Sequence, residues 1–235
     1  MSKTIGKYWY SEVDLDNITV VDEGILKRIA ELYSSDYGVW LGTNNKITLS
    51  TNLFLELHKH ETIYFVSNSN GDIIGFASVW LGQNFKVKVI TSMCVKKKYR
   101  NQGIGTSMVN YILNSTCDSG EYIVGAITAN PILLLILETN PKLEYFDLED
   151  RVSKDLGLGQ QLSILINYFR RKSYASRKLD YKRSEKITYK KIDTAFEVYI
   201  PKEEILDGLL EFYENLMGTL EPGEEWILFT KYNKE

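Results

Sequence analysis

The residues with the plainest chemical purpose in this chain of 235 residues are Arg100, Gly103 and Gly105. They lie in the run Val95 to Val109 (VKKKYRNQGIGTSMV), directly after an apolar strand-like segment, Val87 to Val95. An amphipathic segment follows, in which Ile104, Met108 and Ile112 share a face with Val109 and Leu113 beside them. A tight glycine turn exposes several backbone N–H groups together. When those groups also open a helix, the positive end of the helix dipole stands behind them. The chemistry this makes is a socket for a diphosphate, with Arg100 able to add a full positive charge. The plainer reading of the same glycines is a strand-to-helix turn without a ligand. Two other phosphate-binding patterns fail on their residues. A dinucleotide fingerprint needs a third glycine where Met108 stands, and a nucleoside-triphosphate loop needs Gly-Lys-Ser/Thr, which the sequence lacks. A second Gly-x-Gly, Gly157 to Gly159, follows no strand and reads as a helix start or kink.

The elements that must position this turn can be read from periodicity and punctuation. Lys7 to Val21 reads as an early strand or loop and Asp22 to Tyr33 as a helix, stopped at Ser-Ser-Asp-Tyr-Gly with Gly38 as the terminator. Ser50 to His58 reads as a second helix behind a serine cap. Strands are expected at Thr62 to Ser67, Ile73 to Leu81 and Phe85 to Val95, the first two joined by the hairpin turn 67–72. The helix after the glycines runs to about Asn114. Tyr122 to Thr128 is a buried strand, and Asn130-Pro131 opens a helix that ends near Asn140-Pro141. Further on come a helix over Ser153 to Lys172 and a strand over Ile192 to Ile200. A helix from Pro201 follows, with Ile205, Leu209, Phe212 and Leu216 on one side and Gly218 as its stop, and then a last strand, Glu225 to Thr230. Helices interleaved with a strand meander predict one mixed, mostly antiparallel sheet flanked by helices, an α/β fold with a C-terminal αβ extension. The expected division is a core over 1–150 and an extension over 151–235 that completes the sheet.

Composition sets the outer bounds. Apolar and charged residues make up 44% and 25% of the chain, as in ordinary globular proteins. Cys94 and Cys117 suggest no disulfide framework, and with only His58 and His60 beside them no metal site is expected. The polar N-terminus and the short longest apolar run, Pro131 to Leu137, predict a protein without a membrane partner, in a reducing cytoplasmic setting. The net charge of −3 is unevenly spread: Arg170 to Lys191 holds ten Lys or Arg against Asp180 and Glu185, leaving 18 basic and 29 acidic residues elsewhere. That stretch, interleaved with Tyr174, Tyr181 and Tyr189, reads either as a solvated face or as a nucleic-acid patch.

A strand ending in Val95, four residues, then Arg100-x-x-Gly103-x-Gly105 opening a helix resembles the acyl-CoA-binding motif of the GNAT superfamily of N-acetyltransferases. The element order agrees, as does Thr128-Ala129-Asn130 at a strand end, so the resemblance covers roughly Asp22 to Pro141. It implies acetyl-CoA as co-substrate. The loop Arg100, Asn101, Gln102, Gly103, Ile104, Gly105 and Thr106 would hold its diphosphate, Met93, Cys94 and Val95 would pair with the pantetheine arm as an added strand does, and Asn130 would contact it from the next strand. A backbone N–H of the Met93 to Val95 stretch would polarise the thioester carbonyl. The partner implied is an amine acceptor, small molecule or protein, which attacks the thioester directly. A non-catalytic acyl-CoA-sensing module is the competing class.

The sequence departs from the family where catalysis would be assigned. A tyrosine expected about seven residues after Asn130 is Leu137 instead, and Tyr145 comes later. A glutamate expected on the strand before the loop is missing from Ile90-Thr91-Ser92-Met93. The remaining candidates are Glu225, as a cleft carboxylate or a solvated strand end, and Thr91, as an orienting hydroxyl or a packing residue. Asp36 and Tyr37 are expected in the loop that meets the acceptor, or as turn residues. His58 and His60 are expected at the surface near a helix end, and Cys94 as a small buried strand residue.

Overall fold

The computed structural model describes residues 3–40, 45, 46, 48–82, 87–115, 120–144, 160, 182, 183, 188–193, 196–198, 204–217, 219, 220 and 224–234. The chain divides into two compact units, Met1–Leu81 with Ile90–Cys117, and Gly82–Val89 with Asp118–Glu235. In architecture it is a mixed α/β fold, antiparallel strands flanked by helices.

In the first unit, β1 (Lys3–Ile5) pairs with β2 (Tyr8–Asp14), and β2 pairs along its length with β4 (Glu61–Ser67), Trp9 opposite Ser67 and Asp14 opposite Thr62. The early segment is therefore a pair of strands and not a loop. Helix α1 runs Val20–Asp36, three residues beyond the expected end, before β3 (Gly38–Trp40). Its start is fixed by a capping pair: the Asp22 carboxylate accepts from the Thr19 backbone N at 2.8 Å. Helix α2 (Thr51–Leu57) is short and opens on Ser50, whose Oγ accepts from Leu53 N at 3.2 Å. The hairpin from β4 to β5 (Ile73–Leu81) turns on Asn68, whose side-chain oxygen accepts from the backbone N of Asn70 and Asp72. Strand β6 is Val87–Val95, and α3 is Ile104–Asn114. Ile104, Met108, Val109, Tyr111, Ile112 and Leu113 of α3 are all buried. Between α1, α2 and β5 sits an aromatic cluster, Tyr33, Phe54 and Phe76, with ring centroids about 6 Å apart.

The second unit is built on β12 (Glu224–Lys234), four residues longer at its C-terminal end than periodicity suggested. One edge of β12 pairs with β7 (Gly120–Thr128) from Trp226 opposite Thr128 to Lys234 opposite Gly120. Its other edge takes β10 (Thr188–Asp193) and then β8 (Leu143–Glu144). The long ladder explains the extension: backbone pairing carries the strand through Lys231 and Asn233, whose polar side chains gave no strand signal. β9 (Lys182–Arg183) pairs with β10. The expected strand over Ile192 to Ile200 is instead two: β10 ends at Asp193, set by its register on β12, and β11 (Phe196–Val198) is separate. Helix α4 (Pro131–Thr139) is capped by Asn130. In the middle of helix α5 (Glu204–Met217) the inward residue is Tyr213 and not Phe212 of the expected stripe. Phe212 is 54% exposed, while Tyr213 is buried with its hydroxyl donating to Glu138 of α4 at 2.6 Å. The expected helix over Ser153 to Lys172 lies, but for residue 160, outside the described residues, as do Gly157 to Gly159.

Candidate functional site

Strand β6 ends at Val95 and the chain makes one short 3-10 turn, Lys97–Tyr99, before α3 begins. Two residues of the connection take the left-handed conformation, Asn101 at φ 60° and Gly103 at φ 73°. Asn is among the residues that tolerate it, and Gly103, the N-cap of α3, adopts it freely with open space where a Cβ would stand. The first bond of the helix ladder is Ser107 N to Gly103 O at 3.0 Å. Among the described residues, none of the N–H groups of Asn101, Gln102, Gly103, Ile104, Gly105 and Thr106 finds a hydrogen-bond partner. Six consecutive orphan donors at a helix N-terminus make a cradle for an anion. A diphosphate fits that donor set.

The side chains of the loop brace it. Arg100 Nε donates to Val95 O at 2.9 Å and its Nη2 to Asp36 O at 3.2 Å. Part of the guanidinium is thus committed to holding the loop, a role the bare spacing did not suggest. Gln102 is pinned by Tyr8, whose hydroxyl donates to its Oε1 at 2.7 Å. Lys96, Lys97 and Lys98 precede the loop, so positive charge gathers at the socket. Asp36 and Tyr37 are not in an open loop. Asp36 is the last residue of α1 and its Oδ1 accepts from Lys97 N at 3.1 Å, while Tyr37 is buried and stacked on Tyr33 at 4.2 Å.

On β6 the residues alternate: Thr91, Met93 and Val95 are partly exposed, while Ser92 and Cys94 are buried. Burial pushes the Cys94 thiol up to about 12, against the opposing pull of Arg100. That thiol is no nucleophile at neutral pH.

Thr91 is not a lone hydroxyl. Its Oγ donates to Glu61 Oε2 at 2.8 Å and lies 3.2 Å from Ser78 O. The same Glu61 oxygen is 2.7 Å from His58 Nδ1. His58 is therefore buried, contrary to the surface position expected; packing on Phe54 at 4.4 Å draws the ring inward while His60, two residues on, stays exposed beside Asp16. β6 itself holds no carboxylate over Ile90–Met93, and the one bonded to Thr91 comes from β4. Sequence spacing could not find Glu61, since 30 residues separate it from Thr91.

The remaining candidates lie in the second unit. Asn130 caps α4: its Oδ1 accepts from Ile132 N at 2.9 Å, and its own N–H donates to Thr128 Oγ1 at 2.8 Å. Leu137 is buried in α4 at 1% exposure, and Tyr145 lies outside the described residues. Glu225 is 2% exposed, so it is not a solvated strand end; it stands in β12 opposite Ile192. Of Arg170 to Lys191, only 182, 183 and 188–191 are described, and their backbone forms β9 and most of β10. No helix among the described residues is long and apolar enough to cross a membrane.

The N–H cradle after β6, at the mouth of α3, is a site for an anionic ligand such as a diphosphate. Residues 26–132 match the model of the Acetyltransferase (GNAT) family. A search of curated proteins matches none. Solved structures resemble the chain distantly. The ribosomal-protein-S18-alanine N-acetyltransferase from Escherichia coli is 9% identical, covers 96% of this chain and 94% of its own, and has a TM-score of 0.42. A phosphinothricin acetyltransferase from Sinorhizobium meliloti, in complex with AcCoA, is 15% identical over 57% of this chain and 76% of its own, at 0.40. The diaminobutyrate acetyltransferase EctA from Paenibacillus lautus is 13% identical over 95% and 94%, at 0.38. At such scores these likenesses carry no argument about the acceptor.

Proposed function

We propose that this protein moves an acetyl group from acetyl-CoA to a primary amine, carried by a small molecule or a protein, by direct attack of the amine on the thioester. The observation that carries the reading is the run of six unpartnered N–H groups from Asn101 to Thr106 at the start of α3. These groups would hold the diphosphate, with Arg100 bracing the loop beneath them and adding charge. Met93, Cys94 and Val95 would lie along the pantetheine arm. Outside the basic stretch the chain is acidic, which suits a cationic acceptor.

Isothermal calorimetry with acetyl-CoA tests the reading. Saturable binding is expected, together with its loss when Arg100→Ala is combined with Gly103→Val; absence of saturable binding by the wild type overturns it. Thr91 and Glu225 are the proposed proton-handling groups. An unchanged kcat in Glu225→Gln removes the second from the scheme. The buried aliphatic Leu137 favours one alternative, an acyl-CoA-sensing module without turnover. Binding without CoA release over a broad amine panel would establish that alternative.

A further inference from the structure

Resting on the acetyl-transfer reading, we propose that Thr91, Glu61 and His58 form a relay that takes the proton from the acceptor amine as it attacks. The three side chains come from β6, β4 and the residue that closes α2, and are joined by hydrogen bonds of 2.8 Å and 2.7 Å through a single oxygen, Glu61 Oε2. The Glu61 side chain has 0% exposure. A proton can therefore reach it only through a hydrogen-bonded neighbour. Thr91 is the neighbour with an open side, and it shares a face of β6 with Met93 and Val95, roughly 7 Å along the strand from Met93. The hydroxyl gives its hydrogen to Glu61, so its lone pairs point elsewhere and can accept. His58 Nε2 is buried without a partner among the described residues. A ring carrying its hydrogen on Nδ1 donates to Glu61 and leaves Nε2 bare, which avoids burying an unpaired N–H.

Several elements contribute to the surroundings of Glu61 and its two partners. His58 comes from the end of α2, Thr91 from β6, and the Ser78 carbonyl of β5 faces Thr91. Tyr33 of α1 lies edge-on to His58 at 5.9 Å. In the step itself the amine nitrogen forms a bond to the thioester carbon, and the C–S electron pair leaves on sulfur as the CoA thiolate. The proton lost from nitrogen passes to Thr91 Oγ as the Thr91 hydrogen passes to Glu61 Oε2. Thr91 is the catalytic residue of the scheme; Glu61 acts through it, and His58 positions the carboxylate.

Three variants test this: Glu61→Gln, Thr91→Val and Thr91→Ser. CoA release is measured with 1,3-diaminopropane and with a lysine-containing peptide as acceptors, and acetyl-CoA affinity by calorimetry. Glutamine keeps the hydrogen bonds but cannot take the proton, so Glu61→Gln should lower kcat about 100-fold or more with acetyl-CoA affinity unchanged. Thr91→Val should do the same and Thr91→Ser should restore most of the rate, a rescue that packing alone does not provide. Should Glu61→Gln fail to fold, Thr91→Val, nearly isosteric at a partly exposed site, carries the test. Wild-type turnover matched by Thr91→Val overturns the relay and leaves acetyl transfer standing. A wild type that does not bind acetyl-CoA overturns both.

Discussion

Cys94 shows how a single residue's setting decides its chemistry. It lies one position before the end of β6, beside the bracing Arg100, where a nearby cation would ordinarily favour a reactive thiolate. Desolvation wins, and the thiol is pushed up to about 12. Iodoacetamide at pH 8 should therefore leave Cys94 unmodified in the folded protein and label it in urea, as peptide mass spectrometry will read; rapid labelling of the native protein would contradict the burial. Gly103 is the opposite case, a residue chosen for its backbone. Gly103→Ala places a Cβ at φ 73° and should cost about 1–2 kcal/mol in urea unfolding, even though no neighbouring atom obstructs it. The glycine turn was legible from sequence because its chemistry is local: the spacing from Val95 to Gly105 and the helix after it lie within one short run. The Thr91–Glu61 bond was not legible, because only the pairing of strands brings the two residues together. His58 misled for a related reason. A histidine at a helix end ordinarily meets water, and here the aromatic packing of α2 decides otherwise.

At the scale of elements, capping and close approach do most of the fixing. Hydrogen bonds from Thr19 hold the Asp22 carboxyl below its ordinary range. Its folded value lies below the unfolded one of about 3.9, so the contribution to stability is complete above that pH and drains away as pH falls through the folded value. Asp22→Ala should lower stability at pH 7 by about 1 kcal/mol, and the gap between variant and wild type should close in urea melts run at progressively lower pH. Gly125 on β7 does its work through space. A Cβ there would stand 2.8 Å from Leu228 O and from the Phe229 ring, inside the longest ladder of the second unit. Gly125→Ala should destabilise by about 1–3 kcal/mol, since a backbone carbonyl cannot move aside as a side-chain tip can. Strand β5 and helix α4 were readable because turn residues and a proline bound them tightly. The buried face of α5 was not: two adjacent aromatics, Phe212 and Tyr213, compete for the inside, and only the bond to Glu138 on another helix shows why Tyr213 takes it.

For the whole molecule, the strongest consequence of the socket is linkage between ligand and stability. Six unpartnered N–H groups beside a run of cations are a region that the folded chain has prepared and left incomplete. An anion that satisfies those donors binds the folded state and finds no such arrangement in the unfolded one. At a free concentration about 100 times its dissociation constant, acetyl-CoA should add about 2.7 kcal/mol. For a chain of 235 residues that corresponds to a rise in Tm of roughly 5–10 °C, at about 2–4 °C per kcal/mol. CoA itself, which carries the same diphosphate, should give most of the shift, and dephosphorylated pantetheine little of it. The expected order is therefore acetyl-CoA near CoA, both far above pantetheine, measured by scanning calorimetry at one equal free ligand concentration. Equal shifts from pantetheine and CoA would place the binding energy in the arm along β6. The N–H cradle at the start of α3 would then hold no more than a turn.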